Sequence, residues 1–178
     1  LAQPIDRGTI GNRIAAPLRS LRAGTRLDGI LAYEPLTIPE IARLSPNTVV
    51  MQGTGNATDA QQMALIKEHT HARLVYDLVE LPWFTEHGVD APSLIEVHAA
   101  LRNTLAKADC VTVATSKLAE LLEGAHPDIR LMETRLSPEI WQPLQNRQRR
   151  KGKPRIGWIG RQEQETELDI LSDVIKAL

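Results

Sequence analysis

Two carboxylates, Asp77 and Glu80, stand at the end of an apolar run that has the composition of a buried strand. A carboxylate in that position can bind or deprotonate a hydroxyl group of a ligand. Acidic residues in loops are also common as caps or as solvated surface groups, so a surface role is an equal alternative. If the chain is catalytic, these two residues are our candidates for the catalytic group.

Two further pairs of small or hydroxylated residues follow other strand-like runs. Gly53 and Thr54 lie in a turn of sequence QGTGN, and Thr115 and Ser116 lie between a β-branched run and a helical pattern. Ligands of parallel α/β sheets bind where strands end and helices begin, so we expect these four residues to line a cleft. The turn has Thr58 at the place of a third glycine, which argues against a dinucleotide fingerprint.

A third loop, which contains Gly160 and Arg161, precedes a helical pattern that begins near Thr166. Backbone amides at a helix N-terminus, helped by a cation such as Arg161, can stabilise a departing diphosphate without a metal. Gly157 and Gly160 can also be explained by a tight turn and close packing. For the two glycines alone, this packing interpretation is slightly favoured.

The elements that would position these groups alternate along the chain. Strands are predicted at residues 27–33, 48–51, 74–78, 111–114, 129–132 and 155–159. Helices are predicted at residues 13–21, 38–44, 58–70, 93–108, 116–124 and 166–178. Strand–helix–strand alternation predicts an α/β fold with a Rossmann-like, mostly parallel sheet and helices on both faces. We expect the strands at 74–77 and 111–114 to be interior neighbours, because both are continuously apolar.

Hydroxylated residues followed three positions later by Glu or Gln predict the starts of three helices. These capping boxes are Thr37 with Glu40, Thr58 with Gln61, and Ser93 with Glu96. Pro17 falls inside the first predicted helix, so it must lie in the first turn or at a kink. The longest helix places one apolar stripe on a single face: Leu94, Val97, Leu101, Leu105 and Ala108.

Composition excludes several classes of protein. The net charge of −1 over 178 residues argues against a nucleic-acid binder. No apolar run approaches the ~20 residues that a membrane span needs, and no signal peptide opens the sequence. The single cysteine, Cys110, fits a core position in a reducing compartment, so we expect a cytoplasmic protein. His69 and His71 fall at the end of a helix, and no metal site is expected there.

A change in composition predicts the domain organisation. The run QNRQRRKGKP at residues 145–154 is polar and basic, which is typical of a solvated linker. It divides a domain at residues 1–144 from a fresh strand and helix at residues 155–178. Because the sequence starts without methionine and ends within a helical pattern, we expect it to be a fragment of a longer protein.

Three segments, in this order and at these separations, resemble bacterial family 4-type glycosyltransferases of the two-domain GT-B fold. They are LVYDLVELP at residues 74–82, ADCVTVAT at 108–115 together with LSPEIW at 136–141, and RIGWIG at 155–160. The resemblance covers roughly residue 13 to the end. It implies an acceptor-side N-terminal domain followed by the start of a donor-binding domain.

The resemblance implies transfer of a sugar from a nucleotide-sugar donor to a surface-polysaccharide or related acceptor, with no cofactor besides the donor. It implies a donor-binding group made of Gly157, Gly160, Arg161, Gln164 and Thr166. Because a GT-B active site lies between two domains, we expect this chain alone to be inactive. The apolar face of its C-terminal strand and helix is then expected to pack on the first domain or on a second copy of the chain.

The chain also departs from the pattern of that family. It has Val79-Glu80 where an acidic pair is common, and Arg161 and Gln164 where a small residue and a histidine are common. These departures leave open a catalytically silent relative that binds a sugar or a partner chain. An unrelated Rossmann-like nucleotide-binding domain is a second alternative.

Overall fold

The structure is a computed structural model in which residues 11–81 and 91–135, together with Gln142 and Ser172, are described; the side chains of residues 11, 12 and 91–97 are outside that description. Contacts divide the chain into two compact units, Leu1–Trp141 and Gln142–Leu178. The helices and strands given below belong to the first unit. The expected linker at 145–154 and the strand and helix at 155–178 lie outside the described residues, so the domain organisation stays a prediction.

From the helix at Ile38–Leu44 onward, helices and strands alternate as the sequence predicts. A π-helical turn at Gly11–Ala15 leads directly into helix α1 (Ala16–Gly24), which has proline in its first turn, as expected. The elements that follow are α2 (Ile38–Leu44), β1 (Thr48–Gly53), α3 (Ala57–His69), β2 (Arg73–Leu78), α4 (Ala91–Lys107), β3 (Cys110–Val113), α5 (Ser116–Leu121) and β4 (Ile129–Leu131).

The four strands form one parallel sheet in the order β1-β2-β3-β4. The predicted α/β class with a Rossmann-like parallel sheet is therefore confirmed, and β2 and β3 are interior neighbours as expected. Val75 pairs with Cys110 and Leu78 with Val113. Strand order follows chain order, so the reversal that defines a doubly wound sheet is not found among the described strands.

One face of the sheet is apolar and packs against helices. Right-handed crossovers between successive parallel strands place α3, α4 and α5 on this face. The core joins strand residues to helix residues, all at most 6% exposed: Leu74, Tyr76, Leu78, Val111 and Val113 with Met63, Ile66, Leu101, Leu105 and Leu118. The scarcity of aromatic residues in the sequence explains why this core is largely aliphatic.

The opposite face of the sheet is polar near the carboxyl ends of the strands. Register places Gln52 beside Asp77, and Asp77 beside Thr112, in one row across β1, β2 and β3. Asp77 is completely buried, although it lies on this face. Its burial is due in part to Arg13 from the π-helical turn, which is itself 3% exposed.

The predicted strand at residues 27–33 is wrong, since that segment has no regular structure. Local hydrogen bonds satisfy two of its backbone donors. The Asp28 carboxylate accepts from the N–H of Gly29 at 2.9 Å, and the Thr25 hydroxyl accepts from the N–H of Leu27 at 3.1 Å. Such side-chain acceptors compete with a neighbouring strand for the same donors. In this segment the side chains accept from the backbone and no strand forms.

The three capping boxes have different outcomes. Glu40 accepts from the backbone N–H of Thr37 at 2.8 Å, so the first helix start is confirmed. The second box is wrong, because Asn56 caps α3 by accepting from the N–H of Asp59 at 2.9 Å. Asparagine is as good a cap as threonine, and Asn56 stands two residues before Thr58. The third box is also wrong, since α4 begins at Ala91, ahead of Ser93.

Candidate functional site

The carboxyl edge of the sheet gathers the residues predicted for an acceptor cleft. Parallel pairing aligns Gly53 with Leu78, and Leu78 with Val113, so β1, β2 and β3 end together. The candidate residues lie at or directly after these ends, and all but the half-buried glycine are exposed: Gly53, Thr54, Glu80, Thr115 and Ser116. One edge therefore carries three hydroxyl groups and one carboxylate that solvent can reach.

Thr115 is partly committed to the fold. Its hydroxyl accepts from the N–H of Leu118 at 3.1 Å and so caps α5. This confirms the predicted strand–cap–helix unit, in which Leu118 is buried and Leu121 is exposed. Gly124 follows with φ of +78°, a left-handed conformation that suits glycine after a helix end.

The turn after β1 is held closed by a buried phenol. The Tyr76 hydroxyl donates to Asp59 Oδ2 at 2.6 Å and accepts from the N–H of Gly55 at 2.6 Å. Burial, then the neighbouring negative charge of Asp59, raises the pKa of Tyr76 well above its ordinary value. A Cβ atom on Gly53 would lie 2.3 Å from Asp59 Oδ2 and 2.5 Å from the phenol oxygen, so only glycine fits there.

This closed turn limits what Gly53 and Thr54 can do. The N–H of Gly55 also lies 3.2 Å from Asp59 Oδ2, so both of its bonds stay within the protein. A loop that cradles a phosphate must instead point such amides at the ligand. The turn can line a cleft, but the N–H of Gly55 already donates to Asp59 and Tyr76 and is not free for a ligand.

Asp77, the second acidic candidate, lies within β2 and not after it. Each of its two carboxylate oxygens accepts two hydrogen bonds. Oδ2 accepts from Arg13 Nε at 2.9 Å and from Gln52 Nε2 at 2.8 Å. Oδ1 accepts from Arg13 Nη2 and from the Thr112 hydroxyl, the latter at 2.6 Å. Asp77 therefore forms a structural ion pair with Arg13. Its catalytic role stays a prediction.

The same guanidinium group also binds the chain after β4. Arg13 Nη1 donates to the backbone carbonyl of Met132 at 2.5 Å and to the Thr134 hydroxyl at 3.1 Å. We call Gln52, Asp77, Thr112, Thr134 and the Met132 carbonyl the Asp77 cluster. It draws one group from each of β1, β2 and β3 and two groups from the residues after β4. Arg13 binds Asp77 and the two groups after β4, whereas Gln52 and Thr112 bind Asp77.

One acceptor of the Asp77 cluster has no partner among the described residues. Gln52 Oε1 is buried, and no hydrogen bond reaches it. Exchanging the amide oxygen and nitrogen of Gln52 would not help, because the oxygen would then face the Asp77 carboxylate. The orientation of this side chain is therefore fixed by charge.

Arg13, Gln52 and Thr112 were missed by sequence reasoning. Thr112 carries a weak signal, since it is a polar residue in a run otherwise typical of a buried strand. Arg13 carries none, because it is 64 residues from Asp77 in the sequence. An ion pair between such distant residues becomes visible only in the fold.

The amino edge of the sheet has its own polar contacts. Asp109 accepts from the N–H of Leu74 at 2.7 Å and from Lys67 at 2.8 Å, and these two bonds lower the pKa of its carboxyl. Burial is the main cause that raises the pKa of the Cys110 thiol. Cys110 is therefore a core residue, as expected.

A shallow groove of about 280 Å³ also lies at the amino edge. Its lining residues come from the end of α2 and the connection to β1, and from the end of α3 and the residues after it: Ala42, Ser45, Pro46, Asn47, His69, Thr70 and His71. Within residues 11–81 and 91–135, no three His, Cys, Asp or Glu side chains are arranged to hold a metal ion. The predicted donor-binding residues lie outside the described residues: Gly157, Gly160, Arg161, Gln164 and Thr166.

No known family, no curated protein and no solved structure matches the chain. Among the described helices, none is both long enough and apolar enough to cross a membrane.

Proposed function

We propose that the chain belongs to a glycosyltransferase-like protein, cytoplasmic and bacterial, that transfers a sugar from a nucleotide-sugar donor to a surface-polysaccharide or related acceptor. Residues up to about 144 are the acceptor-side domain in this proposal. The supporting observation is the set of exposed hydroxyl and carboxylate groups at the carboxyl edge of the parallel sheet. Carbohydrates are bound through such groups, and this edge is where ligands of α/β sheets bind.

Glu80 is the better of the two candidates for a general base. It is exposed directly after β2, whereas Asp77 is buried with both oxygens occupied. A base must reach the proton that it removes. The proposal therefore assigns contact with the acceptor hydroxyl to Glu80, and gives Asp77 the task of holding the edge in shape.

The burial of Asp77 in an ion pair favours one rival, a catalytically silent relative that binds a sugar or a partner chain. One of the two acidic candidates is committed to an ion pair in the described structure. In that case, the carboxyl edge would bind a carbohydrate without any donor.

Binding measurements on the whole 178-residue chain test the proposal. Carbohydrate arrays and calorimetry with UDP-glucose, UDP-N-acetylglucosamine and GDP-mannose would identify acceptor and donor. Glu80→Gln should weaken acceptor binding by about 10- to 100-fold, the worth of a hydrogen bond to a charged group. Glu68→Gln is the control, because Glu68 is exposed near the far end of α3.

The outcomes separate the alternatives. Carbohydrate and donor binding, with the loss confined to Glu80→Gln, supports the glycosyltransferase-like protein. Carbohydrate binding without donor binding supports the silent relative. Failure of every carbohydrate and nucleotide sugar to bind contradicts both. We expect no turnover by this chain alone, and a rate of ~1 per second or faster would contradict the two-domain interpretation.

A further inference from the structure

The N-terminal helical segment, residues 11–24, is joined to the sheet mainly through one side chain. Among its described side chains, Arg13 alone is buried, and α1 contributes no buried residue. The remaining side chains are exposed or half-buried. A helix with so little buried apolar surface is held weakly by packing. The contacts of Arg13 therefore decide whether this segment stays on the sheet.

The Asp77 cluster has the form of a binding site for a guanidinium group. Asp77 accepts from Arg13 through both oxygens, which is the bidentate geometry that a planar guanidinium prefers. The Met132 carbonyl and the Thr134 hydroxyl accept from the third nitrogen. The guanidinium therefore donates to three groups, the Asp77 carboxylate, the Met132 carbonyl and the Thr134 hydroxyl, and the site lies near the carboxyl ends of the strands.

Gln52 gives a second and independent observation. Its Oε1 is a buried acceptor that Arg13 leaves without a partner in the described part of the chain. A buried acceptor without a donor is costly, and folded proteins seldom keep one that serves no purpose. The site therefore has one more acceptor than its internal occupant satisfies.

We propose that the Asp77 cluster is a guanidinium-binding site which Arg13 fills as an internal ligand, and which accepts the guanidinium group of another molecule when the N-terminal helical segment lifts away. The occupant is an alkylguanidinium, carried either by a small molecule or by an arginine side chain of a peptide. This site is separate from sugar transfer and does not depend on it.

Chemical rescue of Arg13→Ala tests the site. The variant should melt about 10 °C below the wild type, because it leaves a buried carboxylate unpaired. Ethylguanidinium at 10–50 mM should recover at least half of that loss. Ethylammonium, which has the charge without the planar fork, should recover much less at equal ionic strength. Stronger rescue by N-acetylarginine amide than by ethylguanidinium would assign the site to peptides, and the reverse would assign it to small molecules.

Matched variants complete the rescue experiment. Arg22→Ala removes an exposed arginine of the same segment, whose pair with Asp28 spans 3.3 Å, and it should show neither loss nor rescue. If Arg13→Ala does not fold, the yield of refolding with and without ethylguanidinium replaces the melting temperature. A variant as stable as the wild type, or one that both cations restore equally, would overturn the proposal.

Hydrogen exchange of the wild type tests whether the segment lifts. Amides of α1 should exchange at least 100-fold faster than amides of α3, which has three buried residues. Equal protection of the two helices would show that the segment does not leave the sheet separately, and the proposal would fail even with a positive rescue.

Discussion

Replacing Tyr76 by phenylalanine isolates the hydroxyl that holds the turn after β1. The ring stays in the core, so no cavity forms, and only the two hydrogen bonds of the phenol are lost. The bond to Asp59 has a charged acceptor and is worth about 1.5–3 kcal/mol. The N–H of Gly55 keeps Asp59 Oδ2 at 3.2 Å, so it is not left without an acceptor. We therefore expect a loss of about 2 kcal/mol in the free energy of unfolding.

Urea and thermal unfolding of the whole chain measure this loss. For a protein of this size, 2 kcal/mol corresponds to about 4–8 °C in melting temperature. Tyr33→Phe is the matched control, since Tyr33 is 60% exposed and should change stability by less than about 0.5 kcal/mol. If the two variants were equally stable, the Tyr76 hydroxyl would not hold the turn, and the account of the closed loop would be wrong.

Alkaline pH gives a second measurement on the same side chain. The pKa of Tyr76 is raised in the folded state, so the unfolded chain loses this proton first, near pH 10. The protonated Tyr76 phenol therefore contributes fully to the free energy of unfolding below pH 10. This contribution falls as pH rises, by about 1.4 kcal/mol at pH 11. The variant Tyr76→Phe lacks this dependence, and its stability should approach that of the wild type between pH 10 and 11. If the free energies of unfolding of the wild type and of Tyr76→Phe changed with pH in parallel, the phenol would not be held protonated in the folded protein.

The remaining predictions concern the sheet and its two edges. Gly53→Ala should cost about 1–3 kcal/mol, because its Cβ meets the carboxylate and the phenol that close the turn, whereas Gly24→Ala has open space and should be neutral or slightly stabilising in urea. Val111→Asp should abolish folding, since an unpaired buried carboxylate costs several kcal/mol; Leu121→Asp, at a position 54% exposed, should remain soluble and helical by circular dichroism. Asp109→Asn should slightly lower the free energy of unfolding at neutral pH. Because the pKa of this carboxyl is lowered, its contribution is lost as pH falls below its usual range, so acid titration of the urea midpoint should show the wild type and variant converging.

The sheet could be predicted from the sequence because its signals are local. Residues 74–78 and 111–114 are apolar except for Asp77 and Thr112, and the capping residues around Glu40 and Thr115 mark helix starts within a few positions. The segment at 27–33 shows the limit of such reasoning. Its apolar residues match a strand, but the Asp28 carboxylate satisfies a backbone donor that a neighbouring strand would have needed.

The candidate site was only half predictable, because its polar row lies across strands that are distant in sequence. Gln52, Asp77 and Thr112 occupy equivalent positions in three strands, yet that equivalence exists only once the register is known. A carboxylate completely buried in the middle of a sheet must be neutralised. Gln52 and Thr112 carry no charge, and Arg130, which continues the row on β4, is exposed and paired with Asp128 at 2.8 Å.

The cation must therefore come from outside the row, and it must approach from the face that α3, α4 and α5 leave open. Arg13 meets both conditions, and it donates to the chain after β4 as well as to Asp77. Any occupant of this position must supply a positive charge and a planar set of donors. Because that requirement belongs to the sheet and not to the N-terminal helical segment, the affinity of the Asp77 cluster for guanidinium should persist after Arg13 is removed.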